Sequence, residues 1–161
     1  RKNFGFMHVR SYDEFAWSKL LKEANSKIKK ELNFKIVATD ISPKAIDAAK
    51  KNAEAAGVSE LIEFKVCDFR NTYVPGNKGV VFFNPEYGER LGDEKELEEV
   101  YRSIGDFFKK KCAGYMGYIF TGNLNLAKRI GLKTKRRIEF YNAKIDSRLL
   151  EYELYDGTKK H

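Results

Sequence analysis

Apolar positions fall into two kinds of segment that alternate along the chain. Phe15, Leu20, Leu21, Ala24 and Ile28 recur at roughly helical spacing, with Ser11 or Asp13 able to cap the start, and predict a helix over Ser11–Leu32. Lys35–Thr39 is a short apolar strand ending at Asp40. Ser42-Pro43 then opens a second helix, because Ser is a favoured cap and Pro is welcome at the first helical position. That helix carries Ala45, Ile46, Ala48, Ala49 and Ala53 and stops at Gly57. Leu61–Val66 is the next strand, ending at Cys67-Asp68, and a polar loop with Pro75-Gly76 follows. Gly79–Phe83 is apolar throughout after its glycine, the pattern of a strand buried on both faces. A charged helix spans Glu94–Lys111, a strand Tyr115–Thr121, and a short helix Leu124–Ile130 that stops at Gly131. Arg136–Tyr141 and Ile145–Tyr155 read as an antiparallel pair.

Strands alternating with helices predict an α/β fold, a mostly parallel sheet with helices on both faces and an antiparallel pair closing one edge. No internal repeat or low-complexity linker divides the 161 residues, so residues 1–161 read as belonging to a single domain. Hydrophobic residues at 42%, with 14% aromatic, suffice for a packed core and exclude wholesale disorder. The longest apolar runs, Gly79–Pro85 and Ala113–Leu124, fall short of the ~20 residues of a membrane helix, and no secretory signal is visible. No membrane partner is expected. Cys67 and Cys112 form no CxxC pair, which fits a reducing, cytoplasmic setting, and His8 and His161 cannot build a metal site alone. A net charge of +8 points to an anionic partner, with nucleic acid foremost. The first residue is Arg rather than Met, which suggests a processed or partial chain.

Three expected strands end in a polar residue: Asp40, Asp68 and Asn84. In open α/β sheets ligands bind outside these carboxyl ends, where an acidic residue can bond ribose hydroxyls. An Asp on the next strand end can accept from an adenine amine or equally from a backbone amide. Asp and Asn are also common at strand ends and caps, so the signal lies in their recurrence. Asn84-Pro85-Glu86-Tyr87 is sharper. After a buried strand, such a turn presents an amide side chain and a main-chain carbonyl, two acceptors for the donors of an exocyclic base amine. Tyr87 adds a flat face on which a base can stack. Asn-Pro is also an ordinary turn dipeptide, and these four residues alone leave both readings open.

Asp40, Asp68 and Asn84–Leu91 (NPEYGERL), in this order, resemble class I S-adenosylmethionine-dependent methyltransferases with an [Asn/Asp/Ser]-Pro-Pro-[Tyr/Phe] motif. More narrowly, the chain is similar to the methyltransferase domain of the THUMP-associated, UPF0020-type 23S rRNA guanine-N2 methyltransferases. FGFMHV, ATDISPKAIDAAKKNAEAAGV, the NPEYGERL segment and TGN carry this similarity over nearly the whole chain. The resemblance implies a Rossmann-like sheet, S-adenosyl-L-methionine as cofactor, large-subunit ribosomal RNA as partner, and no metal. It implies that Asp40 binds the cofactor's ribose, Ile41 packs on its adenine, Asp68 contacts the adenine amine and Phe69 lies beside it. It further implies that Asn84, the Pro85 carbonyl and Tyr87 hold a guanine amine in line with the sulfonium methyl.

Two departures bear on this. Glu86 stands where the family usually has a second Pro, so a carboxylate replaces a rigid ring. The family's glycine-rich loop, expected before FGFM, does not occur in the sequence. The chain is therefore expected to be the C-terminal part of a methyltransferase domain without its first strand, whose place is between Lys35–Thr39 and Gly79–Phe83. Such a piece should leave two strand edges unpaired and bind the cofactor weakly alone.

Lys135, Arg136 and Arg137, interleaved with Phe140 and Tyr141, are candidate RNA contacts, as are Glu86, Glu89 and Arg90 beside the turn. Lys109–Lys111 reads more simply as a solvated helix end suited to the helix dipole. Phe15 and Trp17 are expected in the core or against further sequence. N6-adenine methylation and a catalytically silent RNA-binding module are the rival functions. Oligomeric state and target nucleotide are not legible.

Overall fold

The structure is a computed structural model that describes residues 3–76, 78–86, 94–142 and 145–155. A short 3-10 turn, Gly5–His8, precedes helix α1 (Glu14–Ser26). Strand β1 (Ile36–Asp40), helix α2 (Pro43–Ala55), strand β2 (Ile62–Val66) and strand β3 (Val80–Phe83) follow. Helix α3 (Glu94–Lys111), strand β4 (Met116–Thr121), the single turn α4 (Leu124–Ala127) and strands β5 (Arg136–Asn142) and β6 (Ile145–Glu153) complete the order.

The described strands form two sheets. β1 and β2 pair in parallel, with Asp40 opposite Val66, and α2 packs across both through the buried Ile46 and Ala53. The second sheet runs β3-β4-β6-β5. β3 and β4 are parallel, with Phe83 opposite Ile119. β6 lies antiparallel between β4 and β5, so the expected closing pair is present and its later strand is the inner one. β1 and β3 do not pair with each other, and among the described residues each has one free edge.

The larger core fills the space between α3 and the four-stranded sheet. Tyr101, Ile104 and Phe108 of α3 meet Ile119 of β4 and Leu150 and Tyr152 of β6. β4 buries every second residue, the period of a strand covered by a helix on one face. Burial pushes the Cys112 thiol up to about 11 and the Tyr152 phenol up to about 12, so both stay neutral packing groups at physiological pH. Gly105 has a steric reason to be glycine. A Cβ there would stand 2.0 Å from the Ile130 carbonyl oxygen, so the absence of a side chain lets α3 approach the turn after α4 closely at that residue.

Helix α2 starts as its sequence predicts, with Ser42 Oγ accepting from the Ala45 amide and Pro43 in the first turn. α1 departs from expectation. It is capped by Asp13, one of the two caps expected, but ends at Ser26, six residues before Leu32. It buries no residue, and Phe15 is 81% exposed rather than in a core. Trp17 is half-buried, edge-on to Phe4 and Phe6 at 6.0 and 4.9 Å. Helices of this length draw their stability from packing, and nothing described covers Ile28, so the predicted last turn has no support. β3 also departs. It was expected to be buried on both faces, yet Val80 and Phe82 are 67% and 58% exposed. Phe83 packs edge-on against Phe107 and Phe108 of α3, so only that face of β3 is covered.

Candidate functional site

The carboxyl ends of the parallel strands carry the residues singled out in the sequence. At the end of β1, Asp40 Oδ1 accepts from the Ser42 amide at 2.7 Å, a turn that aims the chain into α2. The Asp40 side chain is exposed, its other oxygen has no partner among the described residues, and Ile41 beside it is 73% exposed. An open carboxylate next to an open aliphatic face suits a sugar diol with a flat base.

Asp68 follows β2, adjacent to Asp40 because the Cys67 amide donates to the Asp40 carbonyl at 3.0 Å. Arg70 claims its carboxylate. The Arg70 amide and Nε donate to Oδ1 at 2.8 and 2.9 Å, and the guanidinium pairs with Oδ2 at 2.6 Å. Those side-chain bonds from Arg70 hold the Asp68 carboxyl below the usual carboxylate range. The partner is legible only afterwards, as an Asp-x-Arg spacing across a turn. Phe69 lies edge-on to Phe83 at 5.2 Å and to Phe107 at 5.9 Å, which joins the β2 end to β3 and α3. Lys111 reinforces this joint by donating to the Arg70 carbonyl at 2.8 Å. Phe69 is thus a bridge between the two sheets, and it sets Asp68 close in the fold to the segment that begins at Asn84.

Asn84 continues directly from β3. Its side chain is exposed and makes no hydrogen bond among the described residues, while Pro85 is half-buried and Glu86 exposed. The amide is therefore neither sealed in apolar packing nor committed to the fold. Tyr87, Glu89 and Arg90 lie outside the described residues. The turn has an anchor that sequence reasoning missed. Tyr101 Oη donates to the Glu86 carbonyl at 3.4 Å and bonds Thr121 Oγ1 at 2.8 Å, and Thr121 Oγ1 accepts from the Asn123 amide at 3.0 Å. In the sequence the Thr-Gly-Asn string carries only a resemblance, whereas in the structure its threonine hydroxyl bonds the tyrosine that reaches the Glu86 carbonyl.

The basic candidates divide. Arg136 pairs at 3.1 Å with Glu151, which is 6% exposed and also accepts from Tyr118 at 3.2 Å. Lys135 pairs with Glu153 at 3.5 Å. Arg137 bonds Thr134 at 3.3 Å and has no acidic partner among the described residues, and Tyr141 on the same strand is 80% exposed. Arg136 therefore compensates a buried carboxylate, and Arg137 is the one of the three without an acidic partner among the described residues. No three His, Cys, Asp or Glu among the described residues are grouped to hold a metal. No described helix is long and apolar enough to cross a membrane.

Comparison with known proteins accounts for this arrangement. The family model described as UPF0020: RMKL-like, methyltransferase domain matches residues 3–151. A Ribosomal RNA large subunit methyltransferase K/L from Shewanella baltica is 35% identical over 99% of the chain. The chain spans 23% of that relative's length. Among solved structures, one titled a possible methylase from Clostridium difficile is 31% identical, with a TM-score of 0.79 over 99% of this chain and 42% of its own. A second, a methyltransferase solved in complex with SAH, shares the fold at a TM-score of 0.78 and 23% identity, covering 98% of this chain and 41% of that one.

Proposed function

The chain belongs to the UPF0020 RMKL-like methyltransferase domain family, and from that membership we propose that it carries the base-binding side of an S-adenosylmethionine-dependent rRNA methyltransferase. The reaction is transfer of a methyl group to the exocyclic N2 amine of a guanine in large-subunit rRNA. The observation that carries this reading is the Asn84 amide, exposed and uncommitted at the end of β3, whose Phe83 packs against Phe69, the residue after Asp68. The Shewanella relative, an rRNA large subunit methyltransferase by name, supports the RNA substrate, and the SAH-bound neighbour supports the cofactor.

The described donor set fits the adenosine half of that cofactor. Asp40 offers a free carboxylate oxygen to ribose hydroxyls, Ile41 an apolar face to adenine, and Asp68 an acceptor shared with Arg70. When bound, S-adenosylmethionine supplies a methyl group activated by positive sulfur. The protein's part is position and desolvation. Asn84 Oδ1 and the Pro85 carbonyl accept the two amine hydrogens, which turns the nitrogen lone pair out of the base plane. Tyr87 stacks on the base, and the amine proton leaves to solvent or to Glu86. Arg137, together with Lys135, Arg136, Glu89 and Arg90, borders the path of the RNA.

The chain is proposed to be the C-terminal part of one methyltransferase domain. The free edges of β1 and β3 support this, because one further parallel strand pairs with both and closes a single sheet. Calorimetry of the 161-residue chain with S-adenosylhomocysteine is expected to show no binding below millimolar concentration. Micromolar binding would mean that these residues hold the cofactor unaided. For the reaction, the complete enzyme is given labelled S-adenosylmethionine and unmodified rRNA, and the product is digested to nucleosides. Label in N2-methylguanosine is the expected outcome; label in N6-methyladenosine transfers the assignment to the other amine, and no label supports the silent RNA-binding module.

A further inference from the structure

Tyr101 of α3 and Thr121 of β4 are both 0% exposed, and their hydroxyls meet in the core. Buried hydroxyls are costly unless they are hydrogen-bonded. Thr121 Oγ1 already receives the Asn123 amide at 3.0 Å, and Tyr101 Oη stands 2.8 Å away. The Glu86 carbonyl is 3.4 Å from Tyr101 Oη. One polarity consistent with these bonds is Asn123 N–H to Thr121, Thr121 O–H to Tyr101 and Tyr101 O–H to the Glu86 carbonyl.

This chain holds the far side of the turn. On its near side, Phe83 is fixed by parallel pairing with Ile119. On its far side, the Glu86 carbonyl is fixed from the core by Tyr101. Asn84 and Pro85 are suspended between those two points, with Pro85 adding a locked φ. We propose that Tyr101 and Thr121 are positioning residues that orient the Asn84-Pro85 acceptors toward the base amine. The inference rests on the methyltransferase reading above and extends it to residues that touch neither substrate nor cofactor. The same chain ends at Asn123, whose side chain caps α4 by accepting from the Asn125 and Leu126 amides at 3.1 and 3.0 Å. The segment after β3 is therefore linked to the start of α4 through hydrogen bonds, of which the Tyr101–Thr121 bond is buried.

A positioning role separates kcat from KM, because displaced acceptors bind the RNA yet miss the reactive geometry. In the complete enzyme, Tyr101→Phe is expected to lower kcat roughly 10- to 100-fold with KM for rRNA and S-adenosylmethionine nearly unchanged. Thr121→Val should do the same, Thr121→Ser should restore the rate, and the double variant should lose little more than either single one. A Tyr101→Phe enzyme that is less heat-stable but turns over at the wild-type rate below its melting temperature overturns the proposal, as does a rise in KM with kcat intact. Should Tyr101→Phe fail to fold, the contrast between Thr121→Val and Thr121→Ser decides. Asn84→Ala run alongside separates the two ideas: an active Asn84→Ala enzyme sinks the methyltransferase reading of the turn, whereas an inactive one beside a fully active Tyr101→Phe enzyme sinks only the positioning role.

Discussion

Asn84→Ala in the complete enzyme is expected to cut the single-turnover methylation rate by about 10²- to 10³-fold, some 3–4 kcal/mol of transition-state stabilisation. The fold should not notice. Asn84 is exposed and makes no hydrogen bond among the described residues, so its loss removes no packing and orphans no buried group. Binding of rRNA should change little, because affinity for the polymer comes mainly from phosphate contacts. Asn84→Asp is the informative companion. It keeps an acceptor of the same size, adds a charge, and should retain more activity than alanine. Filter binding and rapid-quench transfer of a labelled methyl group read the two effects separately. A rate within threefold of wild type for Asn84→Ala would remove the amide from the chemistry.

Gly105→Ala tests the packing that carries the turn. Helix propensity alone favours alanine over glycine by about 1 kcal/mol. Here the added methyl would sit 2.0 Å from the Ile130 carbonyl oxygen, and a backbone atom cannot swing aside as a flexible side chain can. Either α3 or the Lys128–Ile130 turn must move. Overpacking of this kind costs about 1–3 kcal/mol, and backbone contact places it at or above the upper end. In a domain of this size that lowers Tm by roughly 6–12 °C, read by differential scanning fluorimetry. Gly5→Ala is the control, since its added methyl meets nothing within 4 Å and should leave Tm unchanged. The displacement also reaches function, because Tyr101 lies on the same helix one turn before Gly105 and reaches Glu86.

Much of the architecture is legible in local pattern. Glu94–Lys111 is a helix over the span that its periodicity predicts, and Ser42-Pro43 opens α2 by the expected cap. Gly131, at φ 65°, ends the segment after α4 where only a left-handed residue can turn the chain. Such features depend on residues three or four apart, so the chain states them locally. The end of β3 at Phe83, directly before Asn84, is legible for a similar reason, since a run of apolar residues stops there at a polar residue and a proline.

The partners of those residues are not legible in this way. Arg70 covers Asp68 from two positions away, but only because a 3-10 turn brings the guanidinium back. Arg136 reads as a free cation in the sequence, yet β5 and β6 pair so that it meets Glu151. Phe15 reads as core or as a contact to further sequence and is exposed among the described residues, because burial depends on what lies opposite a helix face rather than on the face itself.

Periodicity, caps and the Asn-Pro turn thus settle which segments become strands and helices and which strand ends carry polar groups, since each is a short-range property of the backbone. The link from Asn123 through Thr121 and Tyr101 to Glu86 spans two sheet strands and a helix. It exists because closing the core brought three hydroxyl- or amide-bearing positions to one place, and no local pattern encodes a coincidence between residues so distant along the chain.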